Sequence, residues 1–151
     1  MKPIMKILVP VDFSDYSSEM VAFAADLAGR YEASLHLLHV HQPMTYTLPD
    51  NQVVLTASQL SQIYETLKKR LNDLKQAAQG ALPTPIETTL LEGFAATEIV
   101  RFANDSGCDL IVMGTHGRTG VKHWLIGSVA ERVVRTSSCP VLTVHPKRSA
   151  A

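Results

Sequence analysis

Apolar residues fall along this chain in two alternating rhythms. Short unbroken runs mark strands buried on both faces. Longer stretches, in which apolar positions return every three or four residues, mark amphipathic helices. Ile7-Leu8-Val9-Pro10-Val11 is the first run and stops at Asp12. Met20, Ala24, Leu27, Ala28 and Tyr31 then recur at helical spacing, which predicts a helix from Ser17 to Tyr31 with Ser14 or Asp15 as its cap. Ser34 to Val40 is a second strand, and His41 to Leu55, with two prolines and no period, reads as a loop. A long helix follows with Leu60, Ile63, Leu67, Leu71, Leu74 and Ala78 on one stripe; Gly80 closes it, and Pro83 and Pro85 bar its continuation. Ile86 to Leu91 is a third strand, Ala95 to Asn104 a third helix, and Asp109 to Met113 a fourth strand running into Gly114. A short helix from Ser128 to Arg135 precedes the last strand, Val141 to Val144.

Five strands alternating with four helices predict an α/β fold built on one parallel, doubly wound sheet. No repeat and no linker divides the 151 residues, so a single domain is expected. Composition narrows the function classes. Lys+Arg and Asp+Glu both total 14, so no global charge draws the chain to nucleic acid or to an anionic membrane, and binding to DNA or RNA should be weak. No apolar run approaches the length of a membrane helix, and the first one ends at Asp12, too soon for a signal peptide. Cys108 and Cys139 form neither a CxxC motif nor a disulfide framework, which suits a reduced, cytoplasmic protein.

The stretch GTHGRTGVKHWLIGS, from Gly114 to Ser128, carries the candidate chemistry. In an open parallel sheet, ligands bind beyond the carboxyl ends of the strands, where the winding reverses. Gly114 follows Met113 at such an end, Gly117 and Gly120 extend the loop, and Gly127-Ser128 starts a helix. Glycine lets backbone N–H groups approach a ligand closely, and a helix N-terminus adds unpaired N–H groups and partial positive charge. A polyphosphate fits these features. Ordinary turns also use glycine, and Ser128 with Glu131 reads as a capping box. The loop is neither a Walker A sequence nor a GxGxxG fingerprint.

Gly114-x-x-Gly117, nine residues, then Gly127-Ser128 resembles the nucleotide-binding signature of the universal stress protein family. The likeness extends over ILVPVDFS, Leu91-Glu92-Gly93 with Glu98-Ile99, DLIVMGTHGRTG, GSVAERVVR and CPVLTV. It implies a five-stranded Rossmann-like domain of the adenine nucleotide alpha hydrolase type, which dimerises and in one branch binds ATP. Placed by that likeness, Asp12 and the backbone around Val40 face adenine and ribose, with Pro10 and Val11 on the same wall. Gly114, after Met113, approaches the ribose, while Gly117, Arg118, Gly127, Ser128 and Val129 surround the phosphates. The branch without the glycine signature does not bind ATP; this chain carries the signature. Phe13 after Asp12, and Ala95 and Ala96 after Gly93, depart from many relatives, but neither departure lies in the phosphate loop.

Other constellations carry less. His36, His39 and His41 have no cysteine or carboxylate beside them in sequence, so no metal site is assigned. His116 and His123 lie in the glycine loop, where a solvated histidine is the ordinary reading and a phosphate contact the alternative; His116 is kept among the candidate contacts. Cys139, before Pro140, suits a buried structural cysteine better than a nucleophile. Asp12 has no catalytic partner, so it reads as a ligand contact rather than a base. The expectation is a homodimeric regulatory protein that binds ATP, with Mg²⁺ through the phosphates, and signals stress or energy state to a protein partner. The dimer would pair through the last strand, Val141 to Val144. Alternatives are slow ATP hydrolysis, autophosphorylation on Ser128 or another loop hydroxyl, or a nucleotide-free interaction module.

Overall fold

The computed structural model describes residues 2–42, 55–83, 85–115 and 126–145, together with the backbone of 47–48 and 51–52. The chain runs β1 (Lys6–Pro10), α1 (Ser17–Tyr31), β2 (Ser34–His41), β3 (Thr47–Leu48), β4 (Asn51–Gln52), α2 (Ala57–Gln79), β5 (Glu87–Glu92), α3 (Ala95–Asp105), β6 (Leu110–Gly114), α4 (Ser128–Thr136) and β7 (Val141–Val144). Five strands form one parallel sheet in the order β5-β2-β1-β6-β7. This is the doubly wound α/β architecture that the alternation of runs and stripes predicts.

Parallel strands must be covered on both faces, and the residues show it. Ile7, Leu8 and Val9 are all fully buried, Ile7 and Val9 under α1 and α2, Leu8 under α3 and α4. On the first face, Leu35, Leu37 and Val112 pack against Val21, Ala24, Ala25 and Ala28 of α1 and Leu71 of α2. On the second, Leu38, Ile111 and Met113 pack against Ile99 and Ala103 of α3 and Ala130 and Val133 of α4.

Several local expectations are corrected. Tyr31 ends α1 exposed, and Val21 and Ala25 take places on its buried face instead. Leu60 in the first turn of α2 is 38% exposed, and the stripe becomes buried only at Leu71 and Ala78. Neither Ser14 nor Asp15 caps α1; Tyr16 holds the N-cap position without a side-chain bond, and the Ser14 carbonyl accepts from Ser17 N–H. Helix α2 has a capping box, Thr56 with Gln59, a four-residue signal that sequence reading passed over. Within the stretch read as a loop, β3 and β4 form a two-residue antiparallel hairpin, too short for any alternation to register.

Among the described residues, two glycines sit at positive φ, with different surroundings. Gly93 (φ 145) joins β5 to α3, and a Cβ there would lie 2.9 Å from Glu98 Cγ. Gly107 (φ 64) faces open space. Gly93→Ala should therefore cost about 1–3 kcal/mol through strain and crowding together. Gly107→Asn should cost less, because asparagine tolerates that conformation. Urea unfolding of both variants checks the order; equal losses would mean that crowding by Glu98 is irrelevant.

Candidate functional site

The sheet reverses its winding between β1 and β6. From β1 the chain leaves through α1 on one face; from β6 it leaves through α4 on the other. Pairing between these strands is short. It covers Ile7↔Leu110 and Leu8↔Ile111, whereas β1 and β2 stay in register from Lys6↔Ser34 to Pro10↔Leu38. By strand alternation Leu8 and Pro10 turn toward β6, and proline has no N–H to carry the ladder further. A crevice at the carboxyl end follows.

The other wall is set by what happens to β1 after Pro10. Val11 N–H still donates to Leu38 O (2.8 Å). The next ladder position would be Val40 N–H to Val11 O, and it is not made. His39 Nδ1 lies 2.7 Å from the Val11 carbonyl and, because a carbonyl only accepts, must carry the proton. Phe13 then adopts a left-handed conformation (φ 59) that turns the chain out of the sheet. Its ring packs between the His39 imidazole (4.3 Å) and the Arg70 guanidinium of α2 (4.4 Å), and Arg70 Nη2 donates to Phe13 O at 3.0 Å. Val40 is left with an N–H and a C=O that have no partner among the described residues.

Asp12 is half-buried at the mouth of this opening. Its Oδ1 accepts from Ser14 N–H (3.0 Å) and Ser17 Oγ (3.2 Å), which fixes the carboxylate while Oδ2 has no partner among the described residues. Across the crevice, Gly127 N–H donates to Thr115 O (2.6 Å), so α4 begins beside the end of β6. Thr115 N–H in turn donates to Val144 O, and its hydroxyl meets His145 Nδ1, which ties the end of β6 to β7. The capping-box expectation for Ser128 is corrected here: Gly127 is the N-cap, Ser128 is the first helical residue, and no side chain caps α4. The N–H groups of Ser128, Val129 and Ala130 consequently have no acceptor among the described residues.

The candidate residues thus divide. Pro10, Asp12, Val40 and Gly114 gather at adjacent strand ends, and Gly127, Ser128 and Val129 stand at the helix start beside Gly114 and Thr115. Val11 and Met113 point their side chains into the core and offer only backbone. His116, Gly117 and Arg118, with His123, lie outside the described residues. His39, Phe13 and Arg70 were missed as shapers of the wall. One cavity of about 400 Å³ lies away from these residues, between α3 and α4 beside Arg101 and Arg132; another, of about 270 Å³ between α1 and α2, shares Phe13, Ser14, Ser17 and Arg70 with the wall beside Asp12.

The protein-family comparison decides the identity. The model of the universal stress protein family matches residues 3–145. The chain belongs to the universal stress protein family. It is 39% identical over 145 residues to the universal stress protein MJ0531 of Methanocaldococcus jannaschii, covering 95% of this chain and 84% of that one. Among solved structures, MJ0577 of the same organism superposes with a TM-score of 0.78 at 28% identity, covering 98% of this chain and 100% of that one. A universal stress protein solved in complex with cAMP matches with a TM-score of 0.72 at 25% identity, over 95% of this chain and 98% of that one.

His36, His39 and His41 of this universal stress protein do not converge. His36 lies against Phe102 of α3, whereas His39 lies against Phe13 on the opposite face, and His41 meets Tyr64 of α2. No group of three metal-ligating side chains occurs among the described residues. His36 Nδ1 is 2.9 Å from Glu87, a contact that favours the charged ring, but burial outweighs it and holds the imidazole below its ordinary value of 6.5. The sign follows. The unfolded chain takes up a proton below pH 6.5 that folded His36 resists, so this contribution is complete above that pH and is lost as pH falls through the folded value. Urea midpoints from neutral pH down to about pH 5 should fall more steeply for wild type than for His36→Gln. Parallel curves would exclude His36 as a source of acid sensitivity.

Proposed function

We propose that this universal stress protein binds ATP, with Mg²⁺ carried by the phosphates, in the crevice between the ends of β1 and β6, and acts as a homodimeric regulator of stress or energy state. The observation that carries the reading is the open ladder position at Val40. A strand-end N–H and C=O side by side complement a base edge that presents one acceptor and one donor, as adenine does. Asp12 Oδ2 is left for a ribose hydroxyl. The uncapped start of α4 supplies three N–H groups and the positive end of a helix dipole, a combination suited to phosphate. Gly117, Arg118 and His116 join that phosphate site on the strength of the family likeness. The relative solved with cAMP supports an adenine nucleotide as the ligand class.

Dimerisation is assigned to β7. That strand has β6 on one side and no strand on the other among the described residues, and Leu142 on it is 37% exposed. An apolar edge of this kind favours pairing with a second copy.

Ser128 provides the test. Its hydroxyl makes no cap bond, so Ser128→Ala should change stability by no more than about 0.5 kcal/mol. Loss of a hydrogen bond to a charged phosphate is worth about 1.5–3 kcal/mol, roughly a ten- to hundredfold weakening. Calorimetric titration with Mg·ATP should show that drop in a variant with an unchanged urea midpoint. Unaltered affinity would remove the Ser128 hydroxyl from the site, and a wild-type chain without saturable heat would remove the proposal.

A further inference from the structure

Cys108 and Cys139 precede neighbouring strands at the edge of the sheet opposite the crevice. Ile111 pairs with Val141, and Ile111 N–H donates to Pro140 O at 3.0 Å. Carried two residues back, that register sets Asp109 beside Cys139, with Cys108 one residue before it. Strict alternation would put Cys108 on the face opposite Cys139, but Cys108 lies outside β6 and follows Gly107 at positive φ, so its side chain enters the same cluster. Both side chains belong to the apolar cluster under α3 and α4: Cys108 is buried in it, and Cys139 packs against it from a half-buried position. Both are free thiols. Cys139 sits in the turn between α4 and β7, where Ser137 Oγ donates to Cys139 O (2.9 Å) and lies 3.5 Å from Cys139 Sγ.

We infer that Cys108 and Cys139 form a peroxide-sensitive pair that closes to an intramolecular disulfide, a modification site distinct from the nucleotide crevice. Burial pushes the Cys108 thiol up to about 11, with Cys139 and Asp109 adding to the rise and Lys6 opposing it. Cys108 is therefore not the thiolate that meets the oxidant. Cys139, nearer to solvent, reacts first. Its thiolate attacks a hydroperoxide; the S–O bond forms, the O–O bond breaks, and the leaving oxygen takes a proton to depart as water or an alcohol. The Cys108 sulfur then displaces the hydroxyl of the Cys139 sulfenic acid. The S–S bond forms, the S–O bond breaks, and the Cys108 proton leaves with the hydroxyl as water. In all, two thiols lose two electrons and two protons, and one hydroperoxide is reduced. The bond fastens the start of edge strand β7 to β6.

The test is peptide mapping of the folded chain, treated at low concentration with hydrogen peroxide, alkylated with iodoacetamide and digested without reductant. The cysteines fall in separate tryptic peptides, residues 102–118 and 136–147. The expected product is these two joined, two hydrogens lighter than their sum and separated by reduction. In Cys139→Ser, Cys108 should stay alkylatable after peroxide. In Cys108→Ala, Cys139 should be trapped as a sulfenic acid by dimedone. Cys139 driven to sulfinic acid while wild-type Cys108 remains free would overturn the inference. So would Cys139–Cys139 links between chains, two untouched thiols, or oxidation of Cys108 in Cys139→Ser, a variant whose half-buried position spares the fold.

Discussion

Pairing of β1 with its two neighbours governs the rest of the structure. A strand at the centre of a parallel sheet must bury both faces, and Ile7, Leu8 and Val9 do so without residual exposure. Right-handed crossovers then leave β1 and β6 in opposite directions, toward α1 on one face and α4 on the other. Burial at the middle of the strands and divergence at their ends are consequences of the same connectivity. Pro10 sharpens the divergence by ending the ladder toward β6, and His39 completes it on the other side by occupying the Val11 carbonyl. The opening between them is a product of folding as much as of any ligand-directed residue.

That dependence explains what could be read in advance. The runs at Ile7 to Val11 and Asp109 to Met113 are dense enough to specify buried strands, and their alternation with helical stripes specifies the order of winding. That Asp12, Val40 and Gly114 stand at carboxyl ends follows from that order; that Asp12 and Val40 share a site with Gly114 was an expectation from the family likeness. Contacts between distant segments were not legible. His39 reaches Val11 across 28 residues and Arg70 reaches Phe13 across 57, distances over which periodicity carries no information. Serine preference at helix starts misassigned Ser128 because Gly127 already supplies the extended N-cap conformation. Leu60 was placed on the buried stripe because periodicity reports a face and cannot tell where along a 23-residue helix the sheet stops supporting it.

The two ends of the sheet differ in chemistry. At the carboxyl end, backbone groups without a partner among the described residues, a fixed carboxylate and a helix N-terminus stand beside Gly114. At the amino end, Asp109 accepts from Met5 and Lys6 N–H and pairs with Lys2, while the thiols sit under the helix ends. Strand β7 runs between these ends and carries the exposed edge assigned to dimerisation. A nucleotide at one end and a disulfide at the other would both bear on that strand, the first through Thr115 and Val144, the second through Cys139.

On the proposed reading, the open backbone at Val40 and the start of α4 form one nucleotide site. Backbone amide NMR during titration with Mg·ATP tests it most directly. A single site requires saturable shifts at Val40, Gly114, Ser128 and Val129 with a common midpoint, while amides of the α3–α4 groove around Val100 and Arg132 stay in place. Shifts confined to that groove, or separate midpoints for Val40 and Ser128, would contradict it.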